Sequence, residues 1–536
     1  MKKLNRILCL CLAVAMCFVT VGCKNKEKER DLKDPEVLNI TMPDLGYGTE
    51  WMNSVADGFT EKTGTKVQIA VSPTESNYVT AMRAGTAKYD IYVLRANTYD
   101  LVVSNAANYS GYECILADLD DVYNSELEEG VLFKDKMKDM YEQYNRVDAK
   151  NDGNYHYYAV QWCDSVFSLV RNKKVWQDNW QIPNTTDELL ALAKQIKSEG
   201  KTPFIWSSQA TYWWQVANIW VSQYQGWEDM YGDRGFWKGY DEQGNVNVPE
   251  MWARKGILEA MKVLDELVRE RGDNNKDGYQ HVLSTTVDFT TAQGYFLTES
   301  NNIAMMANGD WLYNEMKKNY SSASVDMIKM PVISAIRNHA DCEGTIESDE
   351  ELSALVKAID EGKTDLVGDG YNVSQKAFDK VAGARNLYTC ATNINHIMVS
   401  PVYSDSLPQV KAFYKYLASD EGLIKFASAN GFTLGFKTSD AVKAASDAAA
   451  NDFVKCTEAI KRDREVAPWP VYTSRLFSLG GMSIWPTNET GYSEPERIFA
   501  LRSGEGYMNA TDLWKTNYNN VKNKWSVFMQ NAGLNK

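Results

Sequence analysis

Apolar Leu38, Ile40 and Met42 alternate with polar Asn39 and Thr41, the period of two that marks a strand with one buried face. Trp51, Val55 and Phe59 then recur at helical spacing, and Gly64 stands where a left-handed residue closes a helix. Residues 66–71 read as a second strand, 78–83 as a helix and 90–94 as a third strand. Strands separated by helices predict a parallel sheet with right-handed crossovers. In such a sheet ligands lie beyond the carboxyl ends of the strands. Those ends open onto loops at 43–50, 73–77 and 95–99.

The same signals continue downstream. Thr185 and Glu188 form a capping-box pattern ahead of an apolar face of Leu189, Leu192, Ala193 and Ile196, and Gly200 ends the helix. Residues 202–206 predict a buried strand and 302–306 another. Asn308 and Gly309 then predict a turn, with Asp310 capping a helix that begins at Trp311. Two consecutive helices are expected at 409–418 and 422–429, and no repeat of 20–50 residues is evident.

The N-terminus differs. Lys2, Lys3 and Arg6 precede an apolar run at 7–19, too short to span a bilayer, and small residues lead to Cys23. This resembles the bacterial lipobox, in which the cysteine is lipidated and becomes the new N-terminus. The charged stretch 24–31 reads as a solvated tether. From 24 to 36 it could reach roughly 40 Å at about 3.3 Å per residue.

A chain of 536 residues exceeds one hydrophobic core. Its net charge of −14 argues against nucleic acid or anionic lipid surfaces as partners. Sixteen Trp and thirty Tyr supply flat amphipathic side chains suited to binding surfaces. Of nine cysteines, Cys9, Cys11 and Cys17 leave with the leader. Cys114, Cys163, Cys342, Cys390 and Cys456 remain, with no zinc spacing, and read as buried thiols; Cys342 and Cys390 are the pair considered for a disulfide.

Five stretches in order resemble the extracellular solute-binding proteins of the maltose-binding type, family 1, which serve ABC sugar importers. They are 85–91 (GTAKYDI), 155–160 (YHYYAV) with 170–173 (VRNK), 183–204, 304–311 (AMMANGDW) and 410–417 (VKAFYKYL). The resemblance implies an α/β, two-lobed periplasmic-binding-protein type II fold, with parallel-sheet lobes joined by a hinge. It divides the chain into a lipoprotein signal peptide (1–22), a tether (23–36) and two lobes. The N-terminal lobe would hold 37–162 and 331–418, with an insertion at 341–387. The C-terminal lobe would hold 163–330 and 419–536, with crossings near 161–164, 329–332 and 417–421. The function implied is capture of a carbohydrate, as an oligosaccharide, between the lobes without turnover. The protein would be a monomer, lipid-anchored through Cys23 on the outer face of the membrane, and would deliver to separate permease subunits.

A sugar offers apolar C–H faces and a girdle of hydroxyls, so it needs aromatic plates and planar amides or carboxylates. Trp311 matches the family position that stacks on sugar, and could instead anchor the core. Asp310 could contact ligand or cap the helix. Asn97 falls where the family carries a polar contact. Glu75 and Asn77 could grip hydroxyls or cap a helix. Trp162 and Asp164 lie in a crossing. Of Trp213 and Trp214, one packs and one binds, with Trp213 chosen. Trp469 between prolines, and Tyr47 between glycines, complete the set.

Residues 273–279 fit the first half of a calcium loop, with oxygens from Asp273, Asn275, Asp277 and the Tyr279 carbonyl. The twelfth position is Ser284 rather than Glu, and a polar turn explains the same residues. No cofactor is otherwise required; calcium would be structural. The competing readings are a surface glycoside hydrolase, which needs two carboxylates about 5–9.5 Å apart, and the same scaffold with a peptide ligand.

Overall fold

The computed structural model describes residues 37–44, 46–72, 77–104, 114–150, 152–207, 212–272, 275–363, 373–390, 396–462, 464–468, 473–485, 498–500 and 506–534. The leader, Cys23, Glu75, Asp273 and Trp469 lie outside them.

Two sheets organise the chain. The first runs Lys66–Val71, Val37–Met42, Ile91–Arg95, His396–Val399, Val160–Gln161. Its opening three strands are parallel, with Ile40 opposite both Ile69 and Ile91. The helix Glu50–Thr63 connects the first two and buries Trp51, Val55 and Phe59. It ends at Gly64, whose φ of 77° is the left-handed conformation that a Cβ disfavours. The second sheet runs Thr202–Ile205, Ile303–Gly309, Phe167–Asn172, Leu387–Cys390, Glu465–Pro468, with Val325–Ile328 also paired to Phe167–Asn172.

Both sheets are mixed rather than purely parallel, and the exceptions follow from the crossings. A strand arriving from the other lobe starts at the face between them, so it runs against strands whose carboxyl ends point there. His396–Val399 pairs antiparallel with Ile91–Arg95, bringing His396 opposite Arg95. Phe167–Asn172 pairs antiparallel with Ile303–Gly309, bringing Phe167 opposite Gly309. The carboxyl ends of both sheets therefore face each other.

The first crossing lies between Val160–Gln161 of the first sheet and Phe167–Asn172 of the second. The other two lie elsewhere than 329–332 and 417–421, and the lobe boundaries move with them. After Val325–Ile328 the chain stays in the second lobe: Val332 bridges to Thr185, and the Ser334 amide donates to Thr186 Oγ1. The stretch expected as an insertion in the N-terminal lobe packs there too, as helices Asp349–Asp360 and Gln375–Arg385. Thr185 donates to Asp349 at 2.6 Å, and Arg385 pairs with Asp360 at 2.7 Å. Return to the first lobe lies between strands ending at Cys390 and starting at His396. Helices Leu407–Ala418 and Asp420–Asn430 both pack on Glu50–Thr63, with Phe59 against Phe413 and Ser54 donating to the Lys425 carbonyl. The last crossing thus follows Asn430, and Asp452–Lys461 is back in the second lobe, its Cys456 thiol on the Met327 carbonyl.

One apolar core runs through both lobes, from Leu38 and Ile40 past Trp162 to Ile303 and Met305. Cys114, Cys163 and Cys342 are buried and Cys456 is half-buried. Among the described residues no helix is long and apolar enough to cross a membrane.

Candidate functional site

The facing carboxyl ends place a cleft between the lobes. At the carboxyl end of the first sheet lie Tyr47, Arg95 and Asn97, and at that of the second Tyr212, Asp310, Trp311 and Glu315; Tyr47, Tyr212, Asp310 and Trp311 are buried at the junction, and Arg95 and Glu315 are exposed. The lobes meet at one wall of it. The Tyr47 hydroxyl donates to Asp310 Oδ1 at 2.9 Å, and the Val166 amide donates to Oδ2 at 3.1 Å. Gly46 is needed here: a Cβ at this position would lie 2.4 Å from Trp311 Cβ.

Asp310 does not cap a helix. The strand extends to Gly309, the short helix Leu312–Met316 starts one residue later than expected, and its N-cap is Trp311. Both Asp310 oxygens instead tie the crossing to the Tyr47 loop. Burial pushes its pKa up to about 7, against the opposing pull of the nearby Lys461 charge and the Tyr47 bond.

Trp311 is the aromatic residue at the junction. Its ring tilts against Phe167 at 5.9 Å, and it hydrogen-bonds with the Tyr212 hydroxyl. Glu315, one turn further on, accepts from Gln293 at 2.8 Å. The Glu315 side chain reaches solvent, yet surrounding protein raises its carboxyl's pKa, as expected of a group on a concave wall. The charge of Arg95 across the cleft acts on both Glu315 and Tyr212. Aromatic faces, a carboxylate and a guanidinium thus come from opposite lobes.

Other expected contacts lie elsewhere. Trp162 is 1% exposed and stacks on Trp51 at 4.8 Å, a core wedge at the crossing. Trp213 is fully buried, edge-on to Phe204. A helix turns about 100° per residue, so Tyr212, also buried, packs on Phe167 at the lobe junction while Trp213 points into the core. Asp164 is buried too. It accepts from Lys138, Tyr141 and Tyr388, each at 2.7 Å, and its carbonyl accepts from Lys461. Burial alone would raise its pKa; Lys138 and Lys461 reverse this and hold it below the usual value. Asp164 is a hinge anchor. Asn97 is half-buried, and its Oδ1 accepts from the Asp100 amide at the start of Thr98–Ser104. Asn77 makes no side-chain cap; it borders a cavity of ≈370 Å³ whose walls include Ser72, Tyr78, Tyr89 and Tyr92, all in the first lobe.

In the candidate calcium loop, Asn275 Oδ1 accepts from the Arg271 amide and the Tyr279 carbonyl accepts from the Phe204 amide. Those two oxygens serve the loop itself, and Asp277 is exposed. Among the described residues, the acidic and imidazole groups that converge are Asp118, Asp120 and His156. There His156 Nδ1 lies 2.8 Å from Asp120, and that bond raises its pKa.

Arg95, Tyr212 and Glu315 were missed by sequence reasoning. A signal existed for Tyr212, which opens the aromatic run at 212–214; Arg95 and Glu315 carry none beyond lying just past a strand and a helix start.

No family model and no curated protein matches the sequence. Solved structures do. The GacH receptor of Streptomyces glaucescens, solved unliganded and with acarbose and an acarbose homolog, aligns with a TM-score of 0.53 at 13% identity, over 91% of this chain and 98% of its own. RafE, solved with raffinose, aligns with a TM-score of 0.52 at 14% identity, over 91% and 99%. The bacterial solute receptor AcbH, described as preferring β-D-galactopyranose, aligns with a TM-score of 0.55 at 15% identity, over 91% and 100%. At these identities the similarity establishes the two-lobed fold.

Proposed function

We propose that this protein is the substrate-binding component of an ABC importer, capturing a carbohydrate between its lobes without chemical change. The observation that carries the reading is the composite wall of the cleft: Trp311 and Tyr212 on one lobe, with Glu315 beside them and Arg95 reaching from the other. Aromatic faces suit the C–H faces of a sugar, and a carboxylate and guanidinium suit its hydroxyls. The fold adds support, since the three similar structures are of proteins described with acarbose, raffinose or galactose. The tryptophan count adds little, because among the described residues Trp51, Trp162, Trp206, Trp213, Trp220 and Trp252 are core residues rather than surface plates.

The leader and Cys23 place the protein on the outer face of the membrane in this reading, held by a lipid and working as a monomer with permease subunits on other chains. The test is calorimetric titration with mono- and oligosaccharides, with the sugar analysed afterwards. Saturable binding with the glycan recovered intact supports the proposal. Shortened glycan would instead identify a hydrolase, and heat from peptides alone would reassign the ligand.

A further inference from the structure

A cavity of ≈330 Å³ lies at the hinge, walled by residues 138–140 of the first lobe, 433–443 of the last crossing and 458–466 of the second lobe. Its lining is positive in a chain of net charge −14: Lys138, Lys437, Lys443, Lys461, Arg462 and Arg464 face three acids, Asp139, Glu458 and Glu465. None of these residues belongs to the cleft described above.

The counter-charges are unevenly placed. Lys138 is held by Asp164 and Lys461 by Glu458, at 2.7 and 2.5 Å. Lys437 pairs with Asp139 and Arg462 with Asp447, each at 2.7 Å, while Lys443 is 3.8 Å from Asp440. The last three pairs are solvent-exposed, so water and salt weaken them. Deeper in, Arg464 is nearly buried, and its nearest carboxylate, Asp360 at 3.8 Å, is already held by Arg385 at 2.7 Å and Lys329 at 2.9 Å. Three cations share one acid. Burial and the adjacent Arg385 push the Arg464 pKa down to about 10, consistent with positive charge that lacks enough counter-charge.

We propose that this hinge cavity binds a small oxyanion, inorganic phosphate or sulfate, through Arg464, Lys437, Lys443 and Lys138. A guanidinium offers a planar fork to two oxygens, and ammonium groups add compact charge without demanding one geometry. Because the four side chains come from both lobes and the crossing between them, a bound anion links all three and stabilises the folded chain by mass action.

The experiment titrates the full chain with sodium phosphate and sodium sulfate by calorimetry, at constant ionic strength set with sodium chloride. The expected result is saturable binding with a Kd of about 1 mM or tighter. Lys437→Gln combined with Lys443→Gln weakens it about tenfold or more, as expected for losing charged hydrogen-bond donors. Both lysines are at least a third exposed, so this variant keeps its melting temperature in the absence of phosphate. Lys62→Gln with Lys425→Gln, exposed cations elsewhere, leaves phosphate binding unchanged. No saturable heat, or equal binding by the Lys437/Lys443 variant, overturns the proposal. So does binding only to vesicles containing phosphatidylglycerol and not to free phosphate, which would mark a membrane surface as the partner.

Discussion

Asp310 and Asp164 show how one residue type takes opposite electrostatic roles a short way apart. Asp310 is buried with neutral donors, and its pKa rises from the ordinary 3.8 to about 7. Between those values the folded protein binds a proton that the unfolded chain does not. Its contribution to stability is therefore fully present below about pH 4 and is lost as the pH rises through 7. Urea unfolding at several pH values is expected to show this fall, and Asp310→Asn to flatten it; an unchanged slope in the variant would refute the assignment. Asp164 has the reverse balance, held ionised by Lys138 and Lys461. Asp164→Ala leaves Lys138 and the buried Tyr141 and Tyr388 hydroxyls without their shared acceptor and is expected to remove ~3–5 kcal/mol of stability. A loss below ~1 kcal/mol in the same unfolding measurement would show that the web is not a hinge anchor. Neither role was legible in the sequence, because both depend on partners more than two hundred residues away, Tyr47 for Asp310 and Tyr388 and Lys461 for Asp164.

Elements were far more legible, since their signals are local. The helix Thr186–Ser198 begins where Thr185 predicts, with Thr185 Oγ1 accepting from the Glu188 amide. The reciprocal half of the capping box differs: Glu188 accepts from the Asn184 amide rather than from that of Thr185. The structure also gives Thr185 a second task, donating to Asp349 at the start of Asp349–Asp360. Thr185→Ala is thus expected to cost ~1–2 kcal/mol, the upper range for a lost cap. Thr185→Ser, which keeps the hydroxyl, recovers most of it in thermal unfolding; equal losses in both variants would contradict the capping account. The aromatic helix Tyr212–Gln225 was seen as an aromatic run, but Trp213, chosen there to bind, packs edge-on to Phe204. Periodicity gives the angle between Trp213 and Trp214 and not which of them packs.

At the scale of the molecule, the two-lobed plan was readable from family-like stretches, and the connections were not. The crossing before Phe167 has its own pattern in the sequence. The other two depend on Leu387–Cys390 pairing with Phe167–Asn172 and on Leu407–Ala418 packing on Glu50–Thr63. Such contacts span hundreds of residues, and amphipathic helices carry no mark of the lobe they cover. The closed junction makes a further demand. Gly46→Val would press a branched side chain onto Trp311, so the variant is expected to hold its lobes further apart, with a larger radius of gyration by small-angle scattering. An unchanged radius would mean that the junction can shift locally to make room.

The central claim is that the cleft between the facing sheet ends binds carbohydrate. Titration calorimetry of the chain from residue 31 onward against mono- and oligosaccharides addresses it directly, with Trp311→Ala and Glu315→Gln as variants. The account predicts saturable binding of one glycan at about micromolar Kd or tighter, recovery of that glycan unchanged, and a loss of about tenfold or more in each variant. Absence of binding to any sugar, or binding that both variants leave untouched, would contradict it.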